Sequence, residues 1–245
     1  MTSGLFDARL RRNTTWMMQV TQRMAQAIIF DIDGTLLDSV DLHADAWREA
    51  FRHFGYKFPF EKIRSQIGKG GDQLLPVFLS PVEVKARGKE IQEYRSRLFK
   101  DKYLHRVKPF PGVRELFQKI RNNGQRIALA SSARGDELKD FKRIANIDDL
   151  VEFETSSADA KRSKPHPDIF EAALKQLPRD IPKEDVVVVG DSPHDAEAAK
   201  GAKLRAVGVR CGGFAEDDLR AAGCIAIYDG PEDLLRHYDE SPLKP

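Results

Sequence analysis

Five short runs of apolar and β-branched residues recur along the chain, and each leads into a longer amphipathic segment. They are residues 27–30 (AIIF), 126–130 (RIALA), 186–189 (VVVV), 204–209 (LRAVGV) and 225–228 (IAIY). Strands that are apolar at nearly every position are buried on both faces, as in a parallel sheet covered by helices. The pattern therefore predicts an α/β fold built on a doubly wound parallel sheet.

The first two predicted strands are separated by about a hundred residues, far more than a helical crossover between parallel strands needs. Most of the excess, residues 42–105, is rich in helix-forming residues and contains no comparable strand run. Prolines within residues 108–112 end the helical character. We therefore predict an inserted α-helical cap domain at 42–105, a core domain made of 25–41 and 106–245, and a poorly ordered N-terminal extension at 1–24.

The composition is typical of a water-soluble globular protein, with 41% hydrophobic and 32% charged residues among 245. The net charge of +2 gives no electrostatic reason to expect a nucleic-acid or membrane partner. No segment approaches the roughly 18 consecutive apolar residues of a membrane-spanning helix. Cys211 and Cys224 have no partners at metal-ligand spacing, which argues against a zinc site or a disulfide framework. We expect a cytoplasmic protein, either a monomer or a homodimer.

Charged and hydroxyl side chains stand at the ends of the predicted strands, where open parallel sheets bind their ligands. They are Asp31 and Asp33 after the first strand, Ser131 and Ser132 after the second, Asp191 and Asp195 after the third, and Lys164 in the segment KRSKPHPDIF. Taken singly, most have an ordinary structural explanation, because serine and aspartate also favour helix N-termini and a lone lysine is usually solvated. Asp31 and Asp33 are harder to explain in this way, since two carboxylates ending one strand repel each other.

The repulsion between these carboxylates predicts a cation. Two like charges roughly 4 Å apart cost about 4 kcal/mol at an effective dielectric constant of about 20, and converging strand ends would assemble still more carboxylates. Carboxylate oxygens suit Mg²⁺, which typically binds through one or two carboxylates plus a substrate phosphate. Lys164 adds a second positive charge, and serine hydroxyl and backbone N–H groups add donors for an anion. Together these groups predict a magnesium-dependent phosphate site.

Four signatures resemble those of the haloacid dehalogenase superfamily of phosphohydrolases. They are D-x-D-G-T at residues 31–35, a strand ending in Ser131, Lys164 in S-K-P, and G-D-S-x-x-D at residues 190–195. They occur in the family's order and span roughly residues 25–240, and the combination is highly specific. The resemblance is to the phosphoglycolate phosphatase and β-phosphoglucomutase-like branch. It implies a Rossmann-like core, a helical cap and a small phosphorylated metabolite as substrate.

This resemblance implies a role for each strand-end residue. Asp31 is the nucleophile that attacks phosphorus and forms an aspartyl-phosphate. Asp33 protonates the leaving alcohol and later deprotonates the hydrolytic water, which requires a raised carboxyl pKa, and we expect burial and neighbouring carboxylates to raise it. Mg²⁺ is bound by Asp31, by the backbone carbonyl of Asp33 and by Asp191. The phosphate is bound by Lys164, Ser131 and Ser132. Asp195 orients water or Lys164, and Thr35 helps to hold the turn after the first strand.

Hydrolysis and phosphoryl transfer to a sugar both fit this core. The mutase branch carries a His and a Trp in its first cap helix, and His43 and Trp47 stand at matching distances from Asp31, although they share one helical face and could simply pack the cap. The mutase cap loop also carries an arginine, whereas the stretch at residues 68–72 has glycine at that place. Lys69 lacks the bidentate fork of arginine. We therefore favour a phosphatase, with a β-phosphoglucomutase-like mutase as the alternative.

The glycine-rich loop at residues 68–71 is the expected specificity element. It interrupts the helical pattern of the cap and could present Lys69 and Asp72 to the site, or it could be a plain turn between helices. With His43, Lys69 is a candidate substrate-binding residue. Lys69 alone would support a phosphonoacetaldehyde hydrolase that forms a Schiff base there.

Two further classes are more distant. A dehalogenase proper needs neither the metal nor a second acid, so Asp33 and the acidic loop at residues 190–195 argue against it. A catalytically silent binding or regulatory protein could tolerate the loss of a catalytic residue. In this sequence none of the implied catalytic residues is missing.

Overall fold

The computed structural model describes residues 24–245 and contains a six-stranded sheet and a two-stranded sheet. The strands, in chain order, are β1 Ala27–Phe30, β2 Leu37–Asp38, β3 Lys108–Pro109, β4 Arg126–Ala130, β5 Phe153–Thr155, β6 Val186–Gly190, β7 Arg205–Val209 and β8 Cys224–Tyr228. Strands β2 and β3 form the small antiparallel sheet, and the other six form the main sheet. The predicted N-terminal extension, apart from Met24, lies outside the described residues.

The main sheet has the order β5-β4-β1-β6-β7-β8, and its strand pairings are parallel. The chain proceeds from β1 to β4 on one side and later to β6 on the other, so the direction of winding reverses at β1. Such a reversal opens a crevice at the carboxyl ends of the strands. The predicted doubly wound parallel fold is confirmed.

Ten α-helices lie within residues 24–245, and those that follow β3 cover the two faces of the main sheet. They are α1 Val40–His53, α2 Phe60–Arg64, α3 Gly71–Phe78, α4 Pro81–Leu98, α5 Val113–Asn122, α6 Gly135–Ala145, α7 Asp168–Gln176, α8 Pro193–Gly201, α9 Glu216–Ala222 and α10 Pro231–Arg236. Alternate residues of β1 face opposite layers, so that Ile28 packs with α5, α6 and α10, and Ile29 packs with α7 and α8. None of the helices between residues 24 and 245 combines the length and apolar character needed to cross a bilayer.

The five predicted strands are present with bounds that agree within one residue. The edge strand β5 was not predicted, because it is only three residues long and its sequence, FET, has a single apolar residue. Edge strands of this length carry too little periodicity to stand out in a sequence. The loop that follows β5 carries Lys164, so the position of this strand helps to place the lysine at the carboxyl ends of the strands.

Residues 40–106 form a helical insertion between β2 and β3 that contains α1 to α4, a π-helical turn at Phe99–Tyr103 and a 3₁₀ turn at Leu104–Arg106. It has its own buried apolar cluster, which includes Trp47 and Phe51. The β2–β3 pair holds the two ends of the insertion together. Helix α1 begins two residues before the predicted boundary at 42, and the division into cap and core domains stays a prediction.

Candidate active site

The carboxyl ends of β1 and β6 bring two of the strand-end aspartates to one edge of the sheet. Phe30, the last residue of β1, is paired with Leu129 on one side and Val189 on the other. Asp31 N donates to Val189 O at 2.9 Å, which extends the pairing up to the carboxylate. Asp191 follows the end of β6 in the same direction. Both side chains therefore lie where the winding of the sheet reverses.

Three carboxylates and one ammonium group are buried together at this edge. Asp31, Asp191 and Asp195 are at most 4% exposed, and each has a carboxylate oxygen within 4.8 Å of the other two. Lys164 is fully buried. Its Nζ donates to Asp31 Oδ1 and, at 3.2 Å, to Ala130 O, and it lies 2.7 Å from Asp195 Oδ1. Side chains from three separate loops thus meet at one point.

Helix α8 positions Asp195. Ser192 precedes the helix and Pro193 occupies its first position, an arrangement that suits a helix N-terminus. Asp195 Oδ2 accepts from Ser192 N at 3.1 Å and from Ser192 Oγ at 2.5 Å, which forms a capping box. The other oxygen, Oδ1, is left for Lys164, so Asp195 orients the ammonium group.

The surroundings of Asp191 fit a metal cation. Its Oδ1 accepts from Thr35 Oγ1 at 3.1 Å, and the same hydroxyl lies 3.2 Å from Asp31 Oδ2. Its Oδ2 is buried with no hydrogen-bond partner in residues 24–245, and a Cβ at Gly34 or Gly212 would overlap this oxygen. A buried carboxylate oxygen without a donor is costly. Mg²⁺ is a hard cation that prefers such oxygens, so this donor set fits it.

The pKa values of two acids in the cluster and of its base are all raised. Burial raises the pKa of Asp31 from 3.8 to about 7, against the opposing effect of Lys164, and repulsion from Asp195 and Asp33 adds to the increase. Burial and the neighbouring carboxylates also raise the pKa of Asp191 well above 3.8. Burial alone would lower the pKa of Lys164, but its two carboxylate partners outweigh burial and raise it. Negative charge is therefore in excess, which favours a further cation.

Asp33 is bound by residues at the start of the helical insertion. Its Oδ1 accepts from Ser39 Oγ and from His43 Nε2, both at 2.7 Å. Arg95 Nη2 donates to His43 Nδ1, so the ring nitrogen that faces Asp33 carries the proton, since a guanidinium group cannot accept. Burial alone would raise the pKa of Asp33, but His43, Ser39 and Arg95 outweigh burial and lower it below 3.8. The prediction of a raised pKa for Asp33 is therefore wrong in this structure.

A cavity of about 70 Å³, which we call the reaction cavity, lies beside Asp31 and Asp33 and beneath the helical insertion. Three predicted substrate-binding residues, His43, Lys69 and Ser132, line it together with Trp47. The stacked contact of His43 with Phe99, at 4.0 Å between ring centroids, shows that this histidine also packs the insertion. Packing and contact with the site therefore coexist at His43.

The remaining predicted residues do not line the reaction cavity. Ser131 is fully buried, and its Oγ accepts from Ala133 N at 3.0 Å. Asp72 Oδ2 accepts from Ser163 N at 3.1 Å, so Asp72 joins the glycine-rich loop to the core. Lys69, which does line the cavity, donates from Nζ to Gln66 Oε1 at 2.6 Å, and burial lowers the pKa of Lys69.

Residues 28–209 match the family model described as haloacid dehalogenase-like hydrolase. The chain belongs to this family. The predicted family membership and the prediction that the protein is a hydrolase are thus confirmed. The cytoplasmic location of this hydrolase and its oligomeric state stay predictions.

Similar proteins of this family include a phosphatase and a mutase. A phosphorylated carbohydrates phosphatase of Thermotoga maritima is 28% identical over 214 residues, which cover 86% of this chain and 96% of that protein. A β-phosphoglucomutase of Bacillus subtilis is 30% identical over 191 residues, which cover 75% of this chain and 83% of that protein. The crystal structure of a hydrolase from Pseudomonas syringae matches with a TM-score of 0.77 at 29% identity, covering 88% of this chain and 98% of that chain.

Two charged residues that line the reaction cavity of this hydrolase were not singled out by its sequence, Arg95 of α4 and Glu137 of α6. The Arg95 guanidinium lies 5.5 Å from the centre of the Trp47 ring and 5.1 Å from that of Phe99. An arginine thus does reach the cavity, but it comes from α4 and not from the loop at residues 68–72. The four-residue spacing of Arg95 and Phe99 predicts from the sequence that these two side chains share one helical face. It does not predict that α4 lies above α6.

Proposed function

We propose that this protein is a Mg²⁺-dependent phosphatase that hydrolyses a small phosphomonoester, of the phosphoglycolate or sugar phosphate type, through an aspartyl-phosphate on Asp31. One observation carries the proposal. Next to the reaction cavity, Lys164 donates a buried hydrogen bond to Asp31, and the nearby Asp191 has a buried oxygen, Oδ2, with no hydrogen-bond partner in the described chain. A phosphoryl group in that position would contact a nucleophile and a cation at once. The class of reaction, phosphoric monoester hydrolysis, agrees with the family.

Asp31 attacks phosphorus in line with the leaving oxygen, which divides one difficult step into two easier ones. Lys164 balances the negative charge on the transferring phosphoryl group, and Ser132 and the backbone after β4 donate to its oxygens. Asp31, Asp191 and the backbone carbonyl of Asp33 would hold Mg²⁺, which would supply Lewis-acid stabilisation of that charge. Ser131 shapes the same turn from a buried position.

Asp33 carries the proton in both halves of the reaction. The arriving phosphate is anionic, and a nearby negative charge raises a carboxyl pKa, so Asp33 can take up a proton once the ester binds. It then protonates the leaving alcohol and, as a carboxylate, accepts a proton from the hydrolytic water. Ser39 and His43 hold Asp33 between these steps.

A sugar phosphate mutase is the second candidate, supported by His43, Trp47 and Arg95 at the cavity and by the similarity to a β-phosphoglucomutase. In that case the phosphoryl group would pass from Asp31 to a sugar hydroxyl. A phosphatase is favoured because Arg95 already contacts His43 and lies near Glu137. The Glu137 carboxylate beside Arg95 would repel a second phosphate there.

Steady-state assays distinguish these candidates. With Mg²⁺, we expect phosphate release from several phosphomonoesters at rates in the usual enzymatic range of about 1–10³ s⁻¹. Chelation should abolish release, and added Mg²⁺ should restore it. With β-glucose 1-phosphate and a bisphosphate primer, isomerisation should be slower than phosphate release. Faster isomerisation would establish the mutase, and full activity in chelator would exclude the proposed metal.

A further inference from the structure

A second cavity, of about 600 Å³, continues from the reaction cavity between the helical insertion and α6. We call it the outer cavity. Trp47, Arg95, Ser132 and Glu137 line both cavities and so mark the junction between them. Because the reaction cavity is small, the leaving group of an ester bound at Asp31 must extend past this junction. The side chains at the junction therefore contact the part of the substrate that differs from one phosphate ester to another.

Arg95 and Glu137 face each other at the junction without a direct hydrogen bond. Arg95 Nη1 lies 3.8 Å from Glu137 Oε1, which exceeds the ordinary N–H···O range. The Glu137 side chain is 6% exposed, yet its Oε1 has no hydrogen-bond partner in the described chain, and the same is true of the buried Arg95 Nε. Glu137 Oε2 accepts from Arg134 N at 3.5 Å, a weak contact. The unpaired Glu137 Oε1 thus lies beside the Arg95 guanidinium, which has an unpaired N–H of its own at Nε.

Buried polar groups of this kind are costly unless a ligand pairs them. The pair selects among ligands because it requires one group that can accept a hydrogen bond from Arg95 and also donate one to Glu137. An alcohol has both capacities, whereas a carboxylate can only accept. A hydroxyl oxygen about 2.8 Å from each side chain would accept from Arg95 and donate to Glu137.

We propose that Arg95 and Glu137 together bind a hydroxyl of the leaving group, which lies beside the pair, so that the enzyme prefers phosphate esters of neutral polyols and sugars to esters that carry a carboxylate. A substrate carboxylate would pair with Arg95 but would leave Glu137 without a partner and repelled by like charge. This inference rests on the proposed phosphatase function and narrows its substrate class. Of the two ester types named above, it selects the sugar phosphate over phosphoglycolate.

Glu137 also lies in the first turn of α6, where a carboxylate stabilises the helix end. The test must separate that role from contact with substrate. Asp136 is a matched control, because it lies in the same turn and carries the same charge, but its side chain is 59% exposed and lies 3.8 Å from Lys100. Asp136→Asn therefore removes the helix-end charge without touching the junction.

Three esters of one carbon length test the proposal. Glycerol 3-phosphate ends in a hydroxymethyl group, 3-phosphoglycerate ends in a carboxylate at the same carbon, and propyl phosphate has neither group. For the wild-type enzyme in Mg²⁺ we expect kcat/KM for glycerol 3-phosphate to exceed the other two values by about 10- to 100-fold, the size of a hydrogen bond to a charged group. The difference should lie mainly in KM.

Glu137→Gln should lower kcat/KM for glycerol 3-phosphate and raise it for 3-phosphoglycerate, because the amide can donate to a carboxylate and no longer repels it. A misfolded variant cannot produce the increase. Asp136→Asn should keep the wild-type ratio. A wild-type enzyme that hydrolyses 3-phosphoglycerate as well as glycerol 3-phosphate, or a Glu137→Gln variant that affects all three esters equally, would overturn this inference while leaving the phosphatase proposal in place. Failure of the wild-type enzyme to hydrolyse any phosphomonoester of the wider panel, these three included, would overturn the phosphatase proposal itself.

Discussion

Asp31→Asn is expected to lower kcat by about 10⁴-fold or more, the scale seen when a covalent nucleophile is removed. The substitution is nearly isosteric, so the packing at the end of β1 should persist. The amide cannot attack phosphorus, and it removes the negative charge that faces Lys164 Nζ. The measurement is steady-state phosphate release in Mg²⁺ for the variant and the wild type.

Asp148→Asn is the matched control for this substitution, because Asp148 is an exposed aspartate in the turn between α6 and β5 and lines neither cavity. It should retain wild-type turnover. If Asp31→Asn kept more than a small fraction of that rate, another residue would be the nucleophile. Thermal unfolding of both variants would show whether any loss of rate comes from unfolding.

Lys164→Met is expected to destabilise the metal-free protein at pH 8 by about 3–5 kcal/mol, the cost of removing one partner of a buried ion pair. Lys164 is fully buried between Asp31 and Asp195, and methionine would leave these carboxylates without a cation. Activity should fall as well, because the ammonium group balances charge on the phosphoryl group. Lys175→Met, at an exposed lysine of α7, is the control and should change neither property.

The loss of stability in Lys164→Met should depend on pH. Carboxyl groups whose folded pKa is raised cost stability as the pH rises from the unfolded value of 3.8 towards the folded value. The folded value is about 7 for Asp31, and it rises further without Lys164. Near pH 5 the folded state therefore keeps this proton and the loss should be smaller than at pH 8. Urea unfolding in chelator at both pH values measures the difference, and an equal or larger loss at pH 5 would contradict the assigned charges.

The parallel sheet and the strand-end residues could be predicted from the sequence because both depend on local pattern. A run such as AIIF is apolar at every position only when both faces of the strand are buried. Once the strands are parallel, their carboxyl ends must share an edge, which is why Asp31 and Asp191 could be expected to meet. Strand β5 escaped prediction because FET has neither the length nor the periodicity of a buried strand.

The rest of the site depends on how the helical insertion lies against the core, which no local pattern encodes. Arg95 and Glu137 are 42 positions apart in the sequence and approach only because α4 lies over α6. The shift in the pKa of Asp33 was predicted with the wrong sign for the same reason, since His43 and Arg95 of the insertion act on it together with Ser39, the residue just before α1. Long-range contacts of this kind change charge balance without leaving a spacing signal in the sequence.

Trapping the phosphoenzyme is the most direct test of hydrolysis through Asp31. Wild-type enzyme turning over a saturating phosphomonoester in Mg²⁺ would be quenched rapidly, reduced with borohydride and mapped by peptide mass spectrometry. Borohydride reduces an aspartyl-phosphate to homoserine and leaves a free aspartate unchanged. We expect homoserine at position 31, and only when both ester and Mg²⁺ are present; reduction at Asp33 or at any other residue would contradict Asp31 as the nucleophile.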